Sequence, residues 1–343
     1  MRFIWARPRT LQRGAQRGLA AQTMLRQALL ALPAALSAAL VLAGAAAAGN
    51  GGFAPEAPAS PNASRITDAY WLIFGLTAAV FLLVEGALLW FVIRYRRRGR
   101  PRTVEGPQIH GSSRLETMWT AAPVVILAAI AAFVFYKLPG IKDVPAARAG
   151  ESMTVKVRAQ QFYWQFEYPD GQVSIDRMVV PVGAVVRLDV TSPDVAHSWW
   201  IPRLGGKIDA IPGRTNRTWF KAGKLGVYPG QCAEFCGIQH AAMRADVAVV
   251  SRGAYEEFLG THAPGSATVG RETFQGACAK CHGFSGQGYI GPKIAGSALL
   301  SQPQALVQLL RNGKNRMPAV GKEWSNEQMK AATAYLKERF GGG

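Results

Sequence analysis

Apolar positions fall into three regimes along the chain. Leu25–Ala48, Tyr70–Ile93 and Met118–Tyr136 are runs that stay apolar on every side, broken only by Arg26 in the first and Glu85 in the second. The second and third are long enough to cross a bilayer. From Glu151 to about Val250 the pattern changes to short stretches broken by Pro and Gly: Met153–Val157, Phe162–Glu167, Met178–Val182, Val185–Thr191, Ser198–Ile201 and Ala245–Val250. That pattern predicts an all-β sandwich. Beyond Thr261–Gly270, Gln304–Leu310 and Asn326–Phe340 have helical character and predict a small all-α module.

Charge settles the topology of the apolar runs. The chain carries 39 Lys and Arg against 21 Asp and Glu, a net +18. Six Arg lie in the first 26 residues and seven more fall from Arg94 to Arg114. Basic residues clustered at the ends of apolar runs suit membrane topology and argue against a nucleic-acid groove. The arginine-rich connection stays cytoplasmic, so residues 66–138 form a transmembrane hairpin and everything after Lys137 lies outside the cytoplasm. Residues 1–48 have the parts of a signal peptide, a basic start, an apolar middle and Ala45-Ala46-Ala47-Ala48 as the cleavage region. A start at Met24 would give that signal ordinary proportions. Residues 49–65 then read as a linker. Glu85 is a functional-site candidate by its position in a span, with a helix–helix contact or a snorkelling carboxylate as the alternatives.

The densest chemistry lies in Gln231-Cys232-Ala233-Glu234-Phe235-Cys236-Gly237-Ile238-Gln239-His240-Ala241-Ala242-Met243. Thiolates, an imidazole and a thioether form a soft donor set that selects copper over magnesium, calcium or manganese. Zinc prefers closed Cys/His sets and has little use for Met243. Two thiols suit a pair of coppers sharing thiolate bridges better than a single ion. His197, at the end of an apolar strand, is the best donor of a second imidazole. All four cysteines fall in two such motifs, and the other is Cys278-Ala279-Lys280-Cys281-His282, the attachment pattern of a c-type haem. Its thiols add across the porphyrin vinyls and His282 becomes an axial ligand. Met317, followed by Pro318, is the candidate second ligand; Met329 is poorer because it lies in the expected last helix. A thioredoxin-like pair would leave His282 unexplained. His110 and His262 have no evident partner and read as surface residues.

His197 with Cys-x-Glu-x-Cys-Gly-x-x-His-x-x-Met resembles the binuclear copper (CuA) site of cytochrome c oxidase subunit II, as does the loop Gly206-Lys207-Ile208-Asp209-Ala210-Ile211-Pro212-Gly213-Arg214. The resemblance implies that Cys232 and Cys236 bridge the coppers, that His197 and His240 each bind one, and that Met243 is a weak ligand. It also implies that Glu234 binds through its backbone carbonyl, with a magnesium ion at the subunit boundary as a further role for its carboxylate. Residues 150–260 would then be a cupredoxin-like domain, 261–269 a linker and 270–343 a cytochrome c domain. Leu115-Glu116-Thr117-Met118-Trp119-Thr120-Ala121-Ala122-Pro123 is similar to the family signature whose Glu opens a proton path into subunit I; a carboxylate at a helix N-terminus is the structural alternative for Glu116. Gln161-Phe162-Tyr163-Trp164 resembles the family's aromatic patch where electrons arrive, with Phe162 replacing a Trp. Periodicity alone would place Trp164 in the sandwich core.

Residues 66–343 therefore resemble an oxidase subunit II carrying its own fused cytochrome c domain. That resemblance implies a bacterial inner-membrane subunit with periplasmic metal domains, partnered by subunits I and III and supplied by an external cytochrome or other donor. Electrons would pass through haem c and copper to subunit I, where oxygen is reduced and protons are pumped. Residues 265–343 hold ten Lys and Arg against four acids, and residues 150–260 twelve against eleven. An acidic dock for a basic cytochrome is not visible in those counts, so the expected donor is neutral or acidic on its docking face. The alternatives are the electron-transfer subunit of a copper-containing nitric oxide reductase and a non-catalytic membrane-anchored carrier.

Overall fold

The computed structural model describes residues 54–96, 99, 106, 108–148 and 150–341. The expected signal segment 1–48 lies outside the described residues, as does most of the arginine-rich connection. Of the two compact units, Met1–Glu56 and Ala57–Gly343, the elements described here belong to the second.

Helix α1 spans Pro61–Arg94 and α2 spans Ser113–Lys142. Pro61 at the first turn lacks an N–H that would go unbonded there anyway. Both helices are long and apolar enough to cross a membrane, and Leu82, Leu83, Val92 and Phe135 stand exposed for lipid. The first helix starts nine residues before the apolar run, inside the expected linker. Its polar first turn is fastened to the sandwich: Asn62 Nδ2 donates to the Trp219 carbonyl at 2.7 Å, and Trp219 Nε1 donates to Ile141 at the end of α2 at 3.0 Å. The outer ends of the hairpin are thus bonded to the domain that follows.

Ten strands follow: β1 (Ser152–Gln160), β2 (Tyr163–Glu167), β3 (Val173–Ile175), β4 (Arg177–Pro181), β5 (Val185–Thr191), β6 (His197–Trp199), β7 (Ile208–Ala210), β8 (Asn216–Lys221), β9 (Gly226–Gln231) and β10 (Arg244–Val250). One sheet runs β3-β2-β1-β5-β8, a second β4-β10-β9, and β6 pairs with β7. The alternation along β1 and β5 sends Val155, Val157, Val186, Leu188 and Val190 inward to meet Met178, Val180, Val247 and Val249 from the second sheet. Each such fully buried side chain contributes about 1.5–3 kcal/mol. Trp164 sits in this core, completely buried, edge-on to Trp199 with ring centroids 5.2 Å apart.

Helix α3 (Arg252–Thr261) leads to α4 (Ala267–Thr273), which continues through a π-helical turn at Phe274–Cys278 into α5 (Ala279–His282); α6 (Pro303–Asn312) and α7 (Asn326–Phe340) complete the module. Ser325 caps α7 by accepting from the Gln328 amide. His262 departs from its surface expectation. It is buried, stacks on Phe258 with centroids 3.9 Å apart, donates from Nδ1 to the Phe258 carbonyl and faces Glu272 through Nε2 at 3.2 Å. A lone imidazole with a flat apolar face and two polar tips joins α3 to α4 here, a contact invisible in the local sequence.

Candidate copper centre and haem cavity

Strands β9 and β10 are antiparallel neighbours with Gln231 opposite Arg244, so residues 232–243 form a loop pinned at both ends. The Cys232 amide donates to the Met243 carbonyl at 2.9 Å, and the Ala233 amide to Ser198 at 2.9 Å, which brings β6 and its first residue, His197, against the loop. Gly230 permits that approach: a Cβ there would lie 2.4 Å from the Trp200 carbonyl oxygen.

Five donor side chains converge as a result. Cys232 Sγ lies 4.0 Å from Cys236 Sγ and 3.9 Å from His197 Nδ1; Cys236 Sγ lies 3.6 Å from His240 Nδ1 and 3.8 Å from Met243 Sδ. The Glu234 carbonyl oxygen is 3.2 Å from Cys232 Sγ, whereas its side chain points outward and is exposed. His197, Cys232 and Cys236 form a buried group able to hold a metal ion. The chemistry of this set fits soft copper ions.

Asp194 sets the imidazole, a role the sequence reading did not assign. Its Oδ1 accepts from His197 Nε2 at 3.0 Å, which leaves Nδ1 facing the thiols. Such carboxylate–imidazole pairing orients metal ligands and fixes their tautomer. Burial works against the Asp194 carboxylate, but hydrogen bonds from His197 and from the Gln161 and Val195 amides hold it below its usual range. Between the thiols, the hydrogen bond they share holds Cys232 below its usual range and pushes Cys236 above it. The pair therefore holds one proton between its two sulfurs until a metal displaces it.

The second motif lines a cavity of about 460 Å³ walled by Cys278, Cys281, His282, Leu300, Leu310 and Met317. Burial pushes the Cys278 thiol up to about 12 and raises Cys281. His282 Nδ1 donates to the Pro292 carbonyl at 2.6 Å, so Nε2 is left for a ligand. Gly291 lies flat against that ring; a Cβ would fall 2.8–3.1 Å from three of its atoms. Met317 sits on a tight hairpin in which Lys314 and Met317 exchange backbone hydrogen bonds at 3.0 Å. Arg311 braces this segment by donating to the carbonyls of Gly321, Lys322 and Trp324. Met329 is buried in α7 and stands away from the cavity lining. An apolar cavity with two thiols, one oriented imidazole and a thioether on its walls fits a covalently held haem.

Gln161, Phe162 and the copper-loop residue Ile238 also line this cavity. Phe162 is only 7% exposed. Glu116 stands at the first turn of α2, where its carboxylate accepts from the Ser112 amide at 3.3 Å.

Comparison with known proteins gives matches in three segments. Residues 49–136 match the transmembrane domain of cytochrome c oxidase subunit II, residues 172–250 its periplasmic domain, and residues 265–336 the family described as cytochrome c oxidase, cbb3-type, subunit III. Cytochrome c oxidase subunit 2 of Alkalihalophilus pseudofirmus is 33% identical over 315 residues, covering 82% of this chain and 89% of that protein. Its counterpart in Cereibacter sphaeroides is 35% identical over 253 residues, 62% of this chain and 80% of its own length. Among solved structures, the periplasmic domain of subunit II of cytochrome oxidase from Bradyrhizobium japonicum is 39% identical over 35% of this chain and 96% of its own, with a TM-score of 0.32.

Proposed function

This chain belongs to the cytochrome c oxidase subunit II family, and from that membership we propose a division of labour among its residues. It is the electron-accepting subunit of a haem-copper terminal oxidase, anchored by two membrane helices with its metal domains outside the cytoplasm. Cys232, Cys236, His197, His240, Met243 and the Glu234 carbonyl would hold the copper. Cys278 and Cys281 would carry haem c, with His282 and Met317 as its candidate ligands. When bound, the two groups supply one-electron redox centres; the chain holds their ligands still. A loop tied to β6, β9 and β10 holds its donor atoms in place, and Asp194 and the Pro292 carbonyl each fix one imidazole. The observation that carries this reading is the convergence of two thiols, two imidazole Nδ1 atoms and a thioether within 4.0 Å steps.

Partner assignments follow. Oxygen is reduced in subunit I, with subunit III as a further neighbour. Family resemblance alone suggests a further role for the exposed Glu234 carboxylate, as a ligand to a magnesium ion at the boundary with subunit I. Glu116 stands as the proton entrance. Residues 1–48 act as a cleaved signal, and N-terminal sequencing of the mature protein tests that. The donor is neutral or acidic on its docking face; faster turnover with a strongly basic cytochrome, steeply weakened by salt, would contradict this. Oxygen consumption by the purified complex, compared with nitric oxide consumption, tests the reaction itself.

A further inference from the structure

The haem-bearing module is docked on the copper domain through a built interface. On β2, Tyr163 Oη accepts from Trp324 Nε1 at 2.8 Å and lies 2.7 Å from the Val320 carbonyl. Gln160 Nε2 donates to the Ala319 carbonyl at 2.6 Å, and Gln328 Nε2 to Gln165 at 3.2 Å. Tyr163, Val173 and Ile175 pack in the same apolar cluster as Phe274, Cys278 and Leu336. The π-helical turn presses so closely on β3 that a Cβ at Gly276 would lie 2.3 Å from Ile175. A flexible tether would need none of these contacts.

Lys280, between the two haem-attaching thiols, makes the most specific contact. Its ammonium lies 2.5 Å from Asp176 Oδ2 and 2.9 Å from the Phe162 carbonyl, with its side chain only 13% exposed. Asp176 is itself fixed: its Oδ1 accepts from the Trp164 amide at 2.9 Å, its own amide donates to the Trp164 carbonyl, and its φ is +60° at the β3–β4 turn. Burial raises the Asp176 carboxyl, and the Lys280 ammonium opposes that rise. Beside this pair, Gln161 Nε2 donates to the Cys236 carbonyl at 2.7 Å, and Gln239 of the copper loop donates to the Lys280 carbonyl at 3.0 Å. Residues walling the haem cavity therefore touch copper ligands through one hydrogen bond.

We propose that Lys280 is a positioning residue for electron transfer within the chain: seated on Asp176 and the Phe162 carbonyl, it fixes the haem cavity against Gln161-Phe162, one hydrogen bond from Cys236. The step served moves one electron from reduced haem to oxidised copper and changes no covalent bond. Phe162 is buried in the sandwich core cluster and lines the haem cavity, so an external donor delivers electrons to the haem module and not to that side chain. The proposal rests on the copper and haem reading above.

The test uses the full chain with both cofactors bound and compares wild type with Asp176→Asn, Lys280→Met and the double variant. Asp176→Asn leaves the haem-attachment motif intact, and the double variant strands no buried charge. Copper content, haem content and both reduction potentials should stay at wild-type values. After photoreduction of the haem, copper reduction should slow on the order of tenfold or more in each variant, because a small displacement of redox partners is costly. Amide exchange at Tyr163–Gln165 and Ala319–Trp324 should accelerate in parallel. A wild-type transfer rate in fully loaded Asp176→Asn and in the double variant would overturn the proposal. If the wild-type chain itself lacked copper or covalent haem, the functional reading would fail first and carry this one with it.

Discussion

Replacing Gly291 by Ala probes the haem cavity at its tightest point. A Cβ at this position would lie 2.8 Å from His282 Cε1, 2.9 Å from Nδ1 and 3.1 Å from Nε2. Those separations fall short of ordinary carbon contact by roughly 0.4–1.2 Å. The ring cannot simply tilt away, because its Nδ1–H is held by the Pro292 carbonyl at 2.6 Å. Either that bond breaks or the loop shifts, and overpacking of this kind costs about 1–3 kcal/mol. For a module of this size each kcal/mol lowers the melting temperature by about 4–8 °C. Thermal melts followed through haem absorbance should therefore fall by about 4–24 °C, with an altered axial-ligand spectrum. Gly253→Ala is the control, since a Cβ there meets nothing within 4 Å. A Gly291→Ala melt and spectrum matching wild type would refute the placement of His282.

Four further outcomes follow from the geometry. Tyr163→Phe leaves Trp324 Nε1 and the Val320 carbonyl short of a partner in a buried interface, about 1–3 kcal/mol for each group stranded; amide exchange across residues 320–324 should accelerate while the copper spectrum stays unchanged. Met243→Leu should keep both coppers and change their potential and spectrum, whereas Cys236→Ser should lose the binuclear centre, both read by metal analysis and electron paramagnetic resonance. Loading copper into metal-free protein should release at least about one proton near neutral pH, because the Cys232–Cys236 pair holds a proton until the metal arrives; affinity should thus rise with pH, about tenfold per unit, and fall as pH drops. Glu116→Gln preserves an acceptor for the Ser112 amide and should leave stability unchanged while slowing oxygen turnover; unchanged turnover would assign Glu116 to helix capping alone.

Local chemistry was legible in the sequence, and long-range pairing was not. The copper loop reads directly because its donors occupy twelve consecutive residues, from Cys232 to Met243, and Cys278–His282 is equally contiguous. Alternating strands such as β1 and β5, and the last helix, Asn326–Phe340, carry their periods in plain view. Strand β9 does not: Gly226, Pro229 and Gly230 hide it, and Pro is tolerated there because β9 is an edge strand paired with β10 alone. The polar first turn of α1 carries no apolar period, and its bond to Trp219 lies 157 residues away in the chain. Lys280 and Asp176 are 104 residues apart, and Tyr163 and Trp324 161. No window of sequence shows such pairs, and only folding brings them together. Asp194 was closer to legible, since a carboxylate three residues before a metal-binding imidazole is a signal in its own right.

The measurement that bears most directly on the central claim is the metal content and intact mass of the purified, fully matured chain, taken with its optical and electron paramagnetic resonance spectra. The account predicts two coppers per chain and one haem that survives denaturation attached to the Cys278–His282 segment. Zinc or no metal at Cys232 and Cys236, together with haem that extracts freely or is missing, would contradict it.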